Sequence, residues 1–184
     1  MLTRLAPAQG FTLIEVLISL TVIGILLALG APAFYEFLQN QKTRAATEAI
    51  VNGVQIARAE AVRRNLGVQF KLTGMPATDW TVSESTAGTV VQTRSSQEGT
   101  VGIVVTALDS ASNAATTVTF SSLGGLTANA DGTTAIAKIN VSNSSFTGTN
   151  ARPLQVMISG GGSIRMCDPA ISTATDARYC PTTY

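Results

Sequence analysis

The sequence predicts an α+β chain: one long N-terminal helix whose second half packs on an antiparallel β-sheet, with a short C-terminal loop closed by cysteines. Three observations predict it. An apolar run from Phe11 to Tyr35 contains a single charge, a stripe of small residues at helical spacing follows to about Asn65, and after Gly67 the hydrophobic period falls to two. The 184 residues allow one domain plus an N-terminal segment, and a soluble part of about 150 residues can bury a sizeable core.

Residues 1–10 are polar to mildly apolar and carry Arg4, which suits a cytoplasmic leader under the positive-inside bias. Residues 11–35 form the apolar half of the helix, and Val16 to Tyr35 supplies the roughly 20 residues that a bilayer crossing needs. Glu15 is the exception in this run. A carboxylate left alone in hydrocarbon costs roughly 2.5 kcal/mol or more, so membrane-embedded charges have partners. No Lys or Arg occurs between Arg4 and Lys42, which leaves a chain terminus, another molecule or a proton as the compensating charge. Pro32 lacks an N–H and crowds the preceding turn, which predicts a kink or local unwinding.

Residues 36–66 read as the amphipathic half. Ala46, Ala49, Ile50, Gly53, Val54, Ala57 and Ala61 recur at three- and four-residue spacing, while Lys42, Arg44, Glu48, Arg58, Glu60, Arg63 and Arg64 populate other faces. The small residues allow a sheet to approach closely, with Gly53 as a contact point, and Asn65-Leu66-Gly67 ends the helix, with Arg63 and Arg64 as helix-end charges set against its dipole.

Residues 67–184 form the β-rich part. Strands are predicted over 68–72, 80–84, 89–93, 102–107, 116–121, 135–141, 154–159 and 163–166, between turns rich in Gly, Asn, Asp and Ser. Val118, Phe120, Ile136, Ile139, Val141, Leu154, Val156 and Ile158 are candidate core positions. In an exported protein Cys167 and Cys180 read as one disulfide, the alternative being two free thiols.

Composition narrows the function classes. The chain is 12 % charged and contains no His, so Ser-His and Cys-His nucleophile pairs cannot be built within it and an enzyme is not expected. Two thiolates without His do not make a closed zinc site, and Asp109, Asp131, Asp168 and Asp176 lack calcium-loop spacing, so no metal and no cofactor are expected. Gly160-Gly161-Gly162 has no following Gly-Lys-Ser or Gly-Lys-Thr and reads as a hairpin turn. Loss of Arg4 with the leader would bring the 12 basic residues level with the 11 acidic ones, so net charge gives no reason for polyanion binding.

Gly10-Phe11-Thr12-Leu13-Ile14-Glu15 resembles the cleavage signature of type IV prepilins. The resemblance implies the type IV pilin fold, cutting between Gly10 and Phe11 by a membrane-bound prepilin peptidase, and N-methylation of Phe11. It further implies that Glu15 pairs with the terminal amine of a neighbouring subunit during assembly, and that Pro32 marks a segment that melts in the filament. An ordinary secretory signal is the rival reading, with Ala31-Pro32-Ala33 as its cleavage site and Phe34 as the mature terminus. Mass spectrometry of the mature N-terminus separates the two.

Three further stretches resemble the minor pilins and pseudopilins of the GspH, FimT and FimU family. They are Ile56 to Asn65 running into Val68-Gln69-Phe70, Val118 to Gly125, and Leu154 to Ser159 with Gly162 to Cys167. The resemblance implies a non-enzymatic minor type IV pilin that primes assembly of a pilus and caps it. Its partners would be other minor and major pilins, the peptidase, an inner-membrane assembly platform and, before assembly, lipid. Its location would be the inner membrane as a single-pass protein with the C-terminal domain in the periplasm, then a pilus or periplasmic pseudopilus. One alternative is a GspH-like pseudopilin of type II secretion. Another is a FimT-like DNA receptor for natural transformation, which uses a Gly-Arg-x-Arg pattern. Here Gly162, Ser163, Ile164 and Arg165 stand at those positions, so the first arginine is missing, and Arg152, Arg165 and Arg178 are the candidate DNA contacts.

Overall fold

The computed structural model describes residues 10–181. The expected leader residues 1–9, and residues 182–184, lie outside them. The chain divides into two compact units, Met1–Phe37 and Leu38–Tyr184, and helix α1 (Leu13–Arg64) contributes to both.

In the first unit the helical residues expose their apolar side chains, Leu20, Leu26 and Leu29 among them. The polar side chains within the run are satisfied locally. Ser19 Oγ donates to the Glu15 carbonyl and Thr21 Oγ1 to that of Leu17, each at 2.8 Å, which hides both hydroxyls against the helix backbone. Pro32 lies inside the helix with helical residues on both sides, so the local unwinding predicted there is not present. The strong helix formers Leu26, Leu27, Ala28, Leu29, Ala31 and Ala33 around it keep the turn despite one missing donor.

In the second unit the remainder of α1 buries the predicted stripe. Ala46, Ile50, Gly53, Val54, Ala57 and Ala61 are buried, Ala49 is half-buried, and Gln39, Thr43 and Thr47 extend the buried face toward Leu38. Asn65 takes the left-handed conformation at φ 55° and closes the helix, with Asn65 N–H donating to the Val62 carbonyl and Leu66 N–H to that of Ala61. This pair of bonds is a Schellman motif, with Asn where Gly is commoner.

Nine strands follow among the described residues: β1 (Val68–Leu72), β2 (Trp80–Glu84), β3 (Val90–Arg94), β4 (Ile103–Leu108), β5 (Thr117–Phe120), β6 (Leu126–Thr127), β7 (Lys138–Asn143), β8 (Leu154–Ile158) and β9 (Ile164–Cys167). They form two antiparallel sheets rather than one, ordered β3-β2-β1-β5-β6 and β4-β7-β8-β9. Eight coincide with the predicted strands to within about three residues. The two-residue β6 was not predicted, because nothing in Leu126–Thr127 alternates.

The predicted strand over 135–141 is split by its surroundings. Ala135 makes a parallel bridge to Thr117 of the first sheet and Ile136 N–H donates to the Thr117 carbonyl, whereas β7 starts at Lys138 in the second sheet. Residues 135–137 are thus the crossing between sheets. The helix stripe, Phe70, Trp80, Val82, Val118 and Phe120 of the first sheet, and Val105, Ile139, Val141, Val156 and Ile158 of the second form one buried cluster. Leu154, a candidate core position, is only half-buried.

Candidate processing and assembly site

The predicted cleavage bond joins Gly10 to Phe11, both exposed, and helix begins two residues later. Thr12 caps that start. Its Oγ1 accepts the Glu15 N–H at 3.3 Å and its carbonyl accepts the Val16 N–H at 3.2 Å. Thr12 and Glu15 therefore stand at the Thr-x-x-Glu spacing of a capping box, with the bond from the Glu15 N–H to the Thr12 hydroxyl formed, and that spacing is visible in the sequence. Glu15 adds its negative charge to the first turn, where the helix dipole favours it. Among the described residues no basic side chain pairs with it.

The segment after this start is long and apolar enough to cross a membrane, and its apolar stretch is exposed throughout. Phe11 is 85 % exposed, so the motif brings together an accessible Gly10–Phe11 bond, an exposed apolar surface and a carboxylate with no basic partner among the described residues.

The C-terminal prediction divides. Cys167 and Cys180 form the expected disulfide, with an S–S distance of 2.03 Å. Arg152 and Arg178 line one cleft, but Arg165 does not join them, because its Nη2 donates to the Ala177 carbonyl at 2.6 Å and so fastens the disulfide loop to β9. Arg178 is held by Asp176 through Nε and Nη2, and this guanidinium keeps the Asp176 carboxyl below its ordinary range. Gly162, shared with the family pattern, is buried at φ 79°, and a Cβ there would overlap the Gly124 carbonyl, so its role is to let two turns dock. Arg58 Nε donates to the same Gly124 carbonyl at 2.9 Å and ties that junction to α1.

Arg63 and Arg64, expected as helix-end charges, do more than meet the dipole. Arg64 bridges Glu60 at 2.7 Å and Glu84 of β2 at 2.8 Å, while Arg63 also reaches Glu60. Hydrogen bonds first from Arg63 and then from Arg64 lower the Glu60 carboxyl to about 2. The turn aspartates satisfy their own backbone: Asp109 accepts from Ala111 and Asn113, Asp131 from Thr133, and Asp168 from Ala170.

A capped apolar helix carrying one carboxylate without a basic partner among the described residues, with its following half buried on antiparallel sheets and a disulfide-closed tail, defines a pilin-like subunit. The family model described as type II transport protein GspH matches residues 46–162, and the prokaryotic N-terminal methylation motif matches residues 6–31. The chain belongs to the GspH family. This places it among the minor type IV pilins and pseudopilins, which are structural subunits rather than enzymes.

Two crystal structures of the type IV minor pilin FimU from Pseudomonas aeruginosa strain PAO1 are similar in fold. One is 16 % identical, covers 69 % of this chain and 97 % of that chain, and has a TM-score of 0.47. The other is 17 % identical, covers 73 % and 97 %, and has the same TM-score of 0.47. No match is found among curated protein sequences.

Proposed function

We propose that this chain is a minor type IV pilin that primes assembly of a pilus and caps it. It is made with a leader that prepilin peptidase cuts between Gly10 and Phe11, and it is held in the inner membrane by residues 11–35 with residues 36–184 in the periplasm. An assembly platform then feeds it into a filament with other minor and major pilins. The observation that carries this reading is the exposed apolar start of α1 with Glu15 as a carboxylate that has no basic partner among the described residues. Moved from lipid into a helical filament core, such a segment keeps its apolar surroundings, and Glu15 gains the terminal amine of a neighbour, which sets axial register.

The test is Glu15→Ala in cells. Membrane insertion should persist, while filament number and co-purification of other pilins should fall about tenfold, as expected for loss of a charge-assisted contact in an apolar setting. Unchanged filaments and unchanged partners would overturn the reading.

A second reading, a pseudopilin of type II secretion, is favoured by the description of the matching family over residues 46–162. Deletion separates the two: loss of surface pili supports the first, and loss of protein secretion with pili intact supports the second. DNA reception draws less support, because Ser163 replaces the first arginine and Arg165 is already engaged with Ala177.

A further inference from the structure

Arg44 of α1, Arg152 of the β7–β8 connection and Arg178 of the disulfide loop line one cleft of about 450 Å³. Leu154 and Met166 supply its apolar lining, and Asp168 is the one carboxylate among the described lining residues. Three of the 12 basic residues thus converge from three separate segments in a chain that is only 12 % charged.

The commitments of the three guanidinium groups differ. Arg152 is fixed through its main chain, its N–H donating to Asn40 Oδ1 at 2.9 Å while Asn40 Nδ2 donates to the Asn150 carbonyl at 3.0 Å. No hydrogen bond or ion pair among the described residues engages its guanidinium. Arg44 pairs with Glu48 at 2.8 Å, but both side chains are more than half exposed, and such a pair yields readily to a competing anion. Arg178 commits Nε and Nη2 to Asp176.

Guanidinium groups suit the planar, multidentate recognition of phosphate oxygens, and an apolar lining beside them suits a phosphate that carries a hydrocarbon substituent. Chain position selects the source. Gln41 and Arg44, on the cleft wall, follow Tyr35 by only about two turns of helix, a rise of roughly 11 Å, so an anionic headgroup of the facing leaflet lies within about a Debye length along the chain. We propose that this cleft binds the phosphate of an anionic phospholipid headgroup while the subunit waits in the membrane. Arg152 is the principal contact, Arg44 and Arg178 flank it, and Asp168 accepts from a headgroup hydroxyl. The inference rests on the membrane-inserted stage of the proposed function.

The test uses the full-length chain extracted in a nonionic detergent and analysed by native mass spectrometry. Phosphatidylglycerol, phosphatidylcholine, glycerol phosphate and a short DNA duplex are the four probes. One phosphatidylglycerol should be retained per chain, about tenfold more tightly than phosphatidylcholine, and Arg152→Gln should remove about that factor. Lys71→Gln, on β1 and outside the cleft, should leave retention unchanged, and Arg44→Gln should weaken it without touching the loop that holds Arg152. Thermal unfolding of each variant checks that the fold is kept. Equal retention of the two lipids, or retention indifferent to both Arg152→Gln and Arg44→Gln, overturns the proposal. Glycerol phosphate bound as tightly as the lipid overturns the membrane source, and DNA displacing phosphatidylglycerol through the same arginines replaces it with a nucleic-acid surface. Absence of the chain from the membrane fraction defeats the proposed function itself, whereas a membrane-inserted chain without lipid preference defeats only this inference.

Discussion

Thr12 Oγ1 accepts the main-chain N–H of Glu15 at 3.3 Å, so the residue after Phe11 caps the helix that Glu15 enters. Removing an N-cap oxygen costs about 1 kcal/mol, or roughly a fivefold change in local opening. Thr12→Val should therefore speed hydrogen exchange at Glu15 and Val16 in detergent by about that factor, and Thr12→Ser should restore protection. Equal exchange in all three proteins would show that the cap contributes nothing.

Gly53 sits where α1 packs tightly on the first sheet. A Cβ at this position would lie 2.9 Å from Phe70 Cε2 and 2.9 Å from Trp80 Cε2, and both rings are fully buried. Neither can retreat: their centroids are 5.7 Å apart and Trp80 is pinned in register opposite Leu72. Gly53→Ala should destabilise the chain by about 1–3 kcal/mol despite the better helix propensity of alanine, because overpacking outweighs the propensity gain of roughly 1 kcal/mol. A denaturant midpoint equal to that of the parent would refute the close approach.

The helix face was legible because helical period and small side chains coincide over Ala46 to Ala61, and period is a local property. Most strands were legible for the same reason. Their division into two sheets was not, since the parallel bridge of Thr117 to Ala135 depends on residues far apart in space before folding. The assembly motif was read as residue identities, and so Glu15 was found while Thr12 was missed. Arg64 was assigned to the helix dipole alone, because its second partner, Glu84, lies 20 residues away in β2. The arginine cleft was half-legible: Arg152 and Arg178 were singled out, but Arg44 was assigned to a wet helix face, and Arg165 turned out to be used inside the tail.

Glu60 makes stability depend on acid. Its carboxyl is lowered from an ordinary 4.5 to about 2 by Arg63 and Arg64, so the folded state binds its proton less readily than the unfolded chain. The contribution is present in full above about pH 4.5 and is lost as pH falls through the folded value, since stability rises with pH wherever the unfolded state binds more protons. Glu60→Gln should flatten the acid limb of stability between pH 5 and pH 2, in proportion to roughly one proton. At pH 7 it should also loosen the link from α1 to β2 through Arg64. An acid limb identical to the parent's would remove Glu60 from the account.

The C-terminal tail has two fastenings that should act as a pair. The disulfide closes a sequence separation of 13, which constrains the unfolded chain by roughly 3 kcal/mol on the chain-entropy view. Arg165 Nη2 to the Ala177 carbonyl and Asp168 N–H to the Arg178 carbonyl hold the same loop in the folded state. With the disulfide intact the loop has little freedom to gain, so Arg165→Gln should cost under about 1 kcal/mol. Once Cys167→Ser and Cys180→Ser have released the covalent link, the guanidinium becomes the main restraint on residues 169–179, and the same change should open them to protease. Contacting groups that share a restraint are non-additive by about 0.5–3 kcal/mol, and the sign expected here is a larger effect of Arg165→Gln in the cysteine-free background. Strict additivity across the four proteins would mean that Arg165 and the disulfide hold the tail independently.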